Sequence, residues 1–316
     1  MRIATLCTLA LVAAAPAAAA QSLYMPRSIK NVYASGTRLL NGMPGPNFWQ
    51  DHGQYRITIT ATPPDPKISG TEEITYTNNS PDTLHTLVIR LFPNSHRPGA
   101  PRDGGASEGQ LTSGMHITSF AVNGTDTKWN DSPRFFTWQP VRLPTALAPH
   151  ESIHLSFGWW YDLPAVPSRQ GVIDPTTFYV AYFYPRVAVY DDYNGWDTMD
   201  HSGHEFYSDF NDYDVTVKVP TNYVVWGTGT LTNAAELLQP AALARFQASF
   251  TSDTTIHVGT GAQIHAGQVT ARDSVNAWHF TATDIPDMAY GLSDHYDWDA
   301  ASVVVDDSTH RRASAH

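Results

Sequence analysis

The chain has 316 residues, a formal net charge of -11, 16% charged residues and 12% aromatic residues. An acidic chain with 19 Lys+Arg and no basic cluster lacks the electrostatic footprint of a nucleic-acid binder, and nothing suggests docking to anionic lipid. Low charge with many aromatic residues excludes a disordered chain and fits a packed, β-rich one.

Residues 1–20 read as a signal peptide. Arg2 supplies the positive start, Ile3 to Ala15 the apolar stretch, and Ala18-Ala19-Ala20 the cleavage site before Gln21. Removing Arg2 takes the charge from -11 to -12. The apolar run is short for a membrane span and no later run is longer, so the expectation is an exported protein, periplasmic or extracellular and bacterial, with no membrane span after processing. Cys7, the single cysteine, lies inside this signal. The remaining 296 or so residues are held by a core and not by disulfides, which is ordinary at that size.

Residues 21–54, with Pro26, Pro44 and Pro46, read as an irregular lead-in. Alternation begins at Tyr55, with Tyr55, Ile57 and Ile59 on one face and Arg56, Thr58 and Thr60 on the other, and ends at the PPDP of 63–66. Strands are expected at 68–80 and 83–95 around an Asn78–Asp82 turn. Others follow at 115–122, 134–142, 152–160, 212–220, 223–231, 244–250, 255–261 and 276–285, with VVVDD (303–307) the last. Only TNAAELLQ (232–239) looks helical, and 308–316 reads as an unstructured tail. Short strands at this spacing predict an all-β fold, mostly antiparallel: a sandwich or a large twisted sheet with one very short helical segment.

The densest chemistry lies between Tyr182 and Pro220, which holds eight carboxylates (Asp191, Asp192, Asp197, Asp200, Glu205, Asp209, Asp212 and Asp214) and two histidines. HEFYS at 204–208 approaches H-E-x-x-H, in which two imidazoles one helical turn apart hold zinc and the Glu serves as base. Ser208 stands in the second histidine position, so a polar loop is the better reading of His201 and His204. The acidic residues could chelate calcium, but their spacing does not follow an EF-hand loop. They could also pair as glycosidase carboxylates, or make turn hydrogen bonds and face Arg186. Trp159-Trp160-Tyr161 and Trp278 raise a sugar platform, although alternation places one of Trp159 and Trp160 in the core. No glycine-rich phosphate loop is present.

Five segments in order carry a resemblance: GTEEITYTNNSPDTL leading to RLFPN, LAPHESIHLSFGWWYDLP, YPRVAVYDDYNGW, EFYSDFNDYDVTVKVPTNYVVWGTG, and WHFTATDIPDMAYGLSDHYDWD. Together, over residues 55–307, they resemble the N-terminal β domain of aminopeptidase N-like zinc metallopeptidases, the gluzincins that include leukotriene A4 hydrolase-like enzymes, in their secreted bacterial branch. The resemblance implies a saddle-shaped β domain that walls a substrate cleft and approaches the free amine of a peptide substrate. It also implies that zinc, the G-x-M-E-N stretch and H-E-x-x-H belong to a catalytic domain not found in this sequence. The chain is therefore expected to be non-catalytic, with no cofactor of its own, ending ahead of the zinc site or paired with a separately encoded catalytic chain. No Gln or Glu stands where the amine-binding residue would align. The region is carried over as cleft lining by Tyr184, Arg186, Tyr190, Asp191 and Asp192, with no catalytic or metal residue assigned. The alternative is a stand-alone secreted β-sandwich module that binds peptide or carbohydrate.

Overall fold

The alternation that starts at Tyr55 becomes a strand because each apolar residue of the pattern finds the same buried face. A computed structural model describes residues 24–132 and 134–316, in two units, Met1–Asn47 and Phe48–His316. The proposed signal peptide lies outside the described residues.

In the first unit, the lead-in expected to be irregular contains helix α1 (Arg27–Ser35). Pro26 precedes its first turn, and Gly36, at φ +76°, closes the last by donating to the Tyr33 carbonyl oxygen. Gly45 then crosses Gly36 so closely that a Cβ would lie 2.1 Å from the Gly36 carbonyl oxygen. That approach admits only glycine.

The second unit is mostly β. In chain order its first strands are β1 (His52–Ala61), β2 (Lys67–Thr77), β3 (Leu84–Arg90), β4 (His116–Val122), β5 (Thr125–Asp126), β6 (Trp138–Leu147) and β7 (Ser152–Asp162). Then come β8 (Gly171–Asp174), β9 (Thr177–Ala181), β10 (Arg186–Val187), β11 (Tyr190–Asp191), β12 (Gly195–Trp196), β13 (Asn211–Pro220), β14 (Val224–Gly227) and β15 (Thr230–Leu231). Helices α2 (Ala234–Leu237) and α3 (Pro240–Ser249), strand β16 (Ile256–Gly259) and helix α4 (Gly261–His265) follow, and β17 (Val275–Ile285), β18 (Ala289–Ser293), β19 (Trp298–Asp306) and β20 (Arg311–Ala315) complete it.

The largest sheet has the order β15-β17-β13-β1-β2-β7-β4-β5, antiparallel except for the parallel β1–β13 pair. Smaller sheets are β10-β3-β6, β14-β18-β9-β8, β16-β19-β20 and the β11–β12 ribbon. No barrel forms among them. The inward residues of the large sheet, Tyr55, Ile57, Ile59, Ile74, Tyr76, Leu155, Phe157, Trp159, Val215, Val217 and Trp278, join one apolar cluster with Leu87, Ile89, Phe178, Phe183, Tyr184 and Leu292 from the other sheets. Its outward face carries Thr, Ser and charged residues.

Three local expectations are corrected. ARFQASF (244–250) is not a strand: Pro240 opens α3, and Ala242, Phe246 and Ser249 bury one face at helical spacing. The end of 255–261 turns into α4, where Thr260 and Gln263 form a capping box. The tail is not unstructured. Asp306 accepts from Ser308 and Thr309 at 2.9 and 3.3 Å, and the turn returns the chain as β20 beside β19.

Candidate functional site

β3 and β10 bring two arginines face to face, since Arg90 and Arg186 are direct cross-strand partners. Like charges opposite one another are unfavourable unless each has its own countercharge. Here each has. Arg90 donates to the Met199 carbonyl oxygen at 2.6 Å and lies 3.6 Å from Asp197. Arg186 pairs with Asp287 from the turn between β17 and β18, and donates to Ser208 at 2.6 Å and to the Tyr184 hydroxyl at 2.8 Å. The Tyr184 hydroxyl also lies 2.9 Å from both Tyr213 and Asp287. Burial alone would lower the basicity of Arg186, but Asp287 and the surrounding tyrosines hold it above the ordinary value. Arg90, with weaker compensation, is lowered by burial.

Both guanidinium groups lie over one ring, Phe92, at 5.0 and 5.3 Å. Phe92 in turn supports an aromatic stack. Phe206 meets it edge-on at 4.4 Å, and Tyr182 and His201 stack on Phe206 at 3.6 and 4.2 Å. Tyr182 takes φ +55°, uncommon for an aromatic residue, so the chain is held in the conformation that lays its ring on Phe206. Burial, then Arg90 and Arg169, pushes the His201 pKa down to about 4, which leaves its imidazole neutral. At the rim Arg169 forks onto Glu205 at 2.6 and 3.0 Å.

These side chains border a groove of about 210 Å³ lined by Ser95, His96, Arg169, Tyr182, His201 and Phe206. It adjoins a second hollow of about 240 Å³ that adds Arg102 and Asp103. His96 is fixed through Nδ1, 2.9 Å from the Gln110 carbonyl oxygen, and its pKa is lowered by burial. The groove thus offers neutral imidazole, an aromatic floor and an ion-paired rim.

The five residues expected to line a cleft fall into two places. Tyr184 and Arg186 are buried beneath the groove, in the network just described. Tyr190, Asp191 and Asp192 are half-buried in and beside the β11–β12 ribbon. There Tyr190 donates to Asp82 at 2.8 Å and stacks on Trp49 at 5.6 Å, and Asp191 caps its own turn by accepting from Tyr193 and Asn194. The segment 205–209 links the two places, through Ser208 to Arg186 and through Tyr207 to Asp191.

The carboxylate that pairs with Arg186 is Asp287, which lies outside the stretch that holds the eight. Asp200 caps Thr137, Asp212 meets His52 and Asp214 meets His279, while partial burial and then Asp51 raise the pKa of the half-buried Asp209 to about 7. Residues 201–210 are irregular, with the His201 ring on Phe206, His204 3.6 Å from Asp103, and Glu205 committed to Arg169. These residues do not fit a zinc ion. Among the described residues no three His, Cys, Asp or Glu side chains converge as a metal site. Trp159 is in the core, as alternation requires, and Trp160 faces outward.

Sequence reasoning missed Phe92, Arg169, Tyr182, Phe206 and Asp287 as parts of one site. A local pattern could not find them, because they are far apart in the chain and meet through the β3–β10 pairing.

No protein-family model matches this chain, and no curated protein matches it. Among solved structures it is similar to an M1 zinc metallopeptidase from Deinococcus radiodurans, at 16% identity and a TM-score of 0.43, over 79% of this chain and 44% of that one. A variant of that enzyme bound to a Tyr-Ser-Ala substrate gives 17% identity and a TM-score of 0.45, over 86% of this chain and 49% of that one. The chain spans about half the length of these metallopeptidases.

Proposed function

We propose that this chain serves as the β domain of an aminopeptidase N-like zinc metallopeptidase, forming one wall of its substrate cleft and not carrying out the hydrolysis. One observation carries the reading. Segments that carry the resemblance, far apart in the chain, converge on a single knot: Arg90 and Phe92 from RLFPN, Arg186 from YPRVAVYDDYNGW, Phe206 and Ser208 from EFYSDFNDYDV, and Asp287 from TDIPDM. In this reading Tyr184 and Arg186 shape the cleft from beneath, while Tyr190, Asp191 and Asp192 hold its border.

The partner is a catalytic domain, joined in one chain or encoded separately, and it holds the zinc. The peptide's amino-terminal end would pass the groove of Tyr182, His201 and Phe206, in an exported, periplasmic or extracellular setting. The test has two parts. The purified chain, with and without added zinc, is expected to release no amino acid from an aminoacyl-anilide and to bind no stoichiometric zinc by elemental analysis. Titration with a free-amine tripeptide, followed by NMR, is expected to shift Tyr182 and Phe206 and to weaken in Phe206→Ala. Zinc-dependent release by the chain, or peptide binding indifferent to Phe206→Ala, overturns the reading.

A further inference from the structure

The outward face of the large sheet is ordered in cross-strand rows, and its two ends differ in charge. One row runs Lys218–Thr60–Ser69–Trp160–His116, and the next runs Thr216–Thr58–Thr71–Gly158–Ser119. The row after that is mixed in charge, with Asp214, Arg56 and Glu73. Over the first two rows lies a trough of about 530 Å³. Its lining includes Lys67 and Lys218, a set of Ser and Thr hydroxyls and Trp160, and no carboxylate. In a chain of net charge -11 with four lysines, two of the four face this one hollow.

Two local features build the trough. The β4 register shifts between Ile117 and Ser119, a bulge that sets Thr118 and Ser119 together opposite Gly158. Gly158 leaves the space open, since a Cβ there would lie 2.6 Å from Ser119 Oγ and 2.9 Å from Thr118 Oγ1. At the end wall the Trp160 ring stacks on His116 at 4.0 Å and carries the Lys67 ammonium 4.6 Å from its centroid. Among the described residues, Thr58, Thr60, Ser69, Thr71, Thr118 and Ser119 spend no side-chain hydrogen bond on the protein, and Lys218 forms no ion pair. These donors are free for a ligand.

We infer that this trough binds an acidic saccharide, whose carboxylate or sulfate meets Lys67 and Lys218 while ring hydroxyls bond the Ser and Thr side chains. Both ligand features are needed: two ammonium groups alone would suit any small anion, and hydroxyls alone any neutral sugar. The acidic net charge of the chain opposes approach at long range. In physiological salt, screening over about 8 Å limits that repulsion. The inference stands apart from the cleft reading, because the trough lies on the outward face of the large sheet and uses none of the groove residues.

The test is calorimetric titration with a trigalacturonate, a neutral maltotriose and sodium sulfate in physiological salt. Trigalacturonate is expected to bind and to weaken with added salt, and maltotriose is expected not to bind. Lys67→Gln combined with Lys218→Gln is expected to weaken binding about tenfold, as loss of two charge-assisted contacts would. Gly158→Val, with unfolding checked in parallel, is expected to abolish it. The inference is overturned by no binding of trigalacturonate, by equal binding of maltotriose, by an unchanged affinity in the double lysine variant, or by sulfate competing mole for mole with the saccharide.

Discussion

Arg186→Met removes the centre of the network beneath the groove, and its cost can be worked from the contacts. The Arg186 side chain is 4% exposed and that of Asp287 is 23% exposed, so the pair is buried on one side and only partly solvated on the other. Removing the cation leaves Asp287 without its countercharge and takes a donor from Ser208 and Tyr184. Breaking a buried pair from one side costs about 3–5 kcal/mol. Two terms move the value to the low end: Asp287 regains some water and keeps the Met288 amide, and Arg90 loses a like-charged neighbour across the ladder. The expected loss is therefore about 3 kcal/mol, read as the change in urea midpoint times the slope, with tryptophan fluorescence as the signal. Arg186→Lys keeps the charge but not the fork, and should lose about half as much. A loss below about 1 kcal/mol for Arg186→Met would show that the network does not hold this part of the fold.

Three further outcomes follow from the same geometry. Phe206→Ala should cost about 2 kcal/mol, below the range for a fully buried Phe because Phe206 is half-buried, and amide exchange should quicken first within 201–210. Burial, then Asp51 and Asp191, raises the Asp209 pKa to about 7 in the folded chain, so folding keeps a proton there that the unfolded chain releases near pH 4. Stability from this group is thus fully present below pH 4 and is lost as pH rises toward 7; Asp209→Asn should be neutral at pH 4 and stabilise by about 2 kcal/mol at pH 8, and equal effects at both would refute the assignment. Gly261→Ala should cost more than about 2 kcal/mol in thermal unfolding, since its Cβ would sit 1.9 Å from the His295 carbonyl oxygen.

The strands of the large sheet were legible because each buries one face and leaves the other in water, which writes period-two alternation into β1, β2, β7 and β13. Where a segment buries one side of a helix, the same residue types mislead: Phe246 in ARFQASF reads as strand unless Pro240 is given its weight as a helix start. β20 was missed because RRASA has no apolar alternation; its pairing comes from the turn that Asp306 caps, not from hydrophobic pattern. The site was legible as a stretch and not as a set. Tyr182 to Asp214 supplies much of it, but Phe92, Arg169 and Asp287 are placed by strand pairing and loop packing that no local spacing encodes.

The arrangement also bears on what Tyr184 and Arg186 can do. A side chain that meets a peptide has to present a free donor, acceptor or ring, and the polar contacts of these two point inward, to Asp287, Ser208 and Tyr213. Under the proposed function their effect on a peptide is therefore positional. Arg186 fixes Ser208 and lies over Phe92; both hold the chain that presents Phe206, and Phe206 with Tyr182 forms the surface a ligand reaches. Glu72 lies in the same core with neither oxygen partnered, and burial raises its pKa well above the ordinary value while the charge of Arg186 opposes that rise.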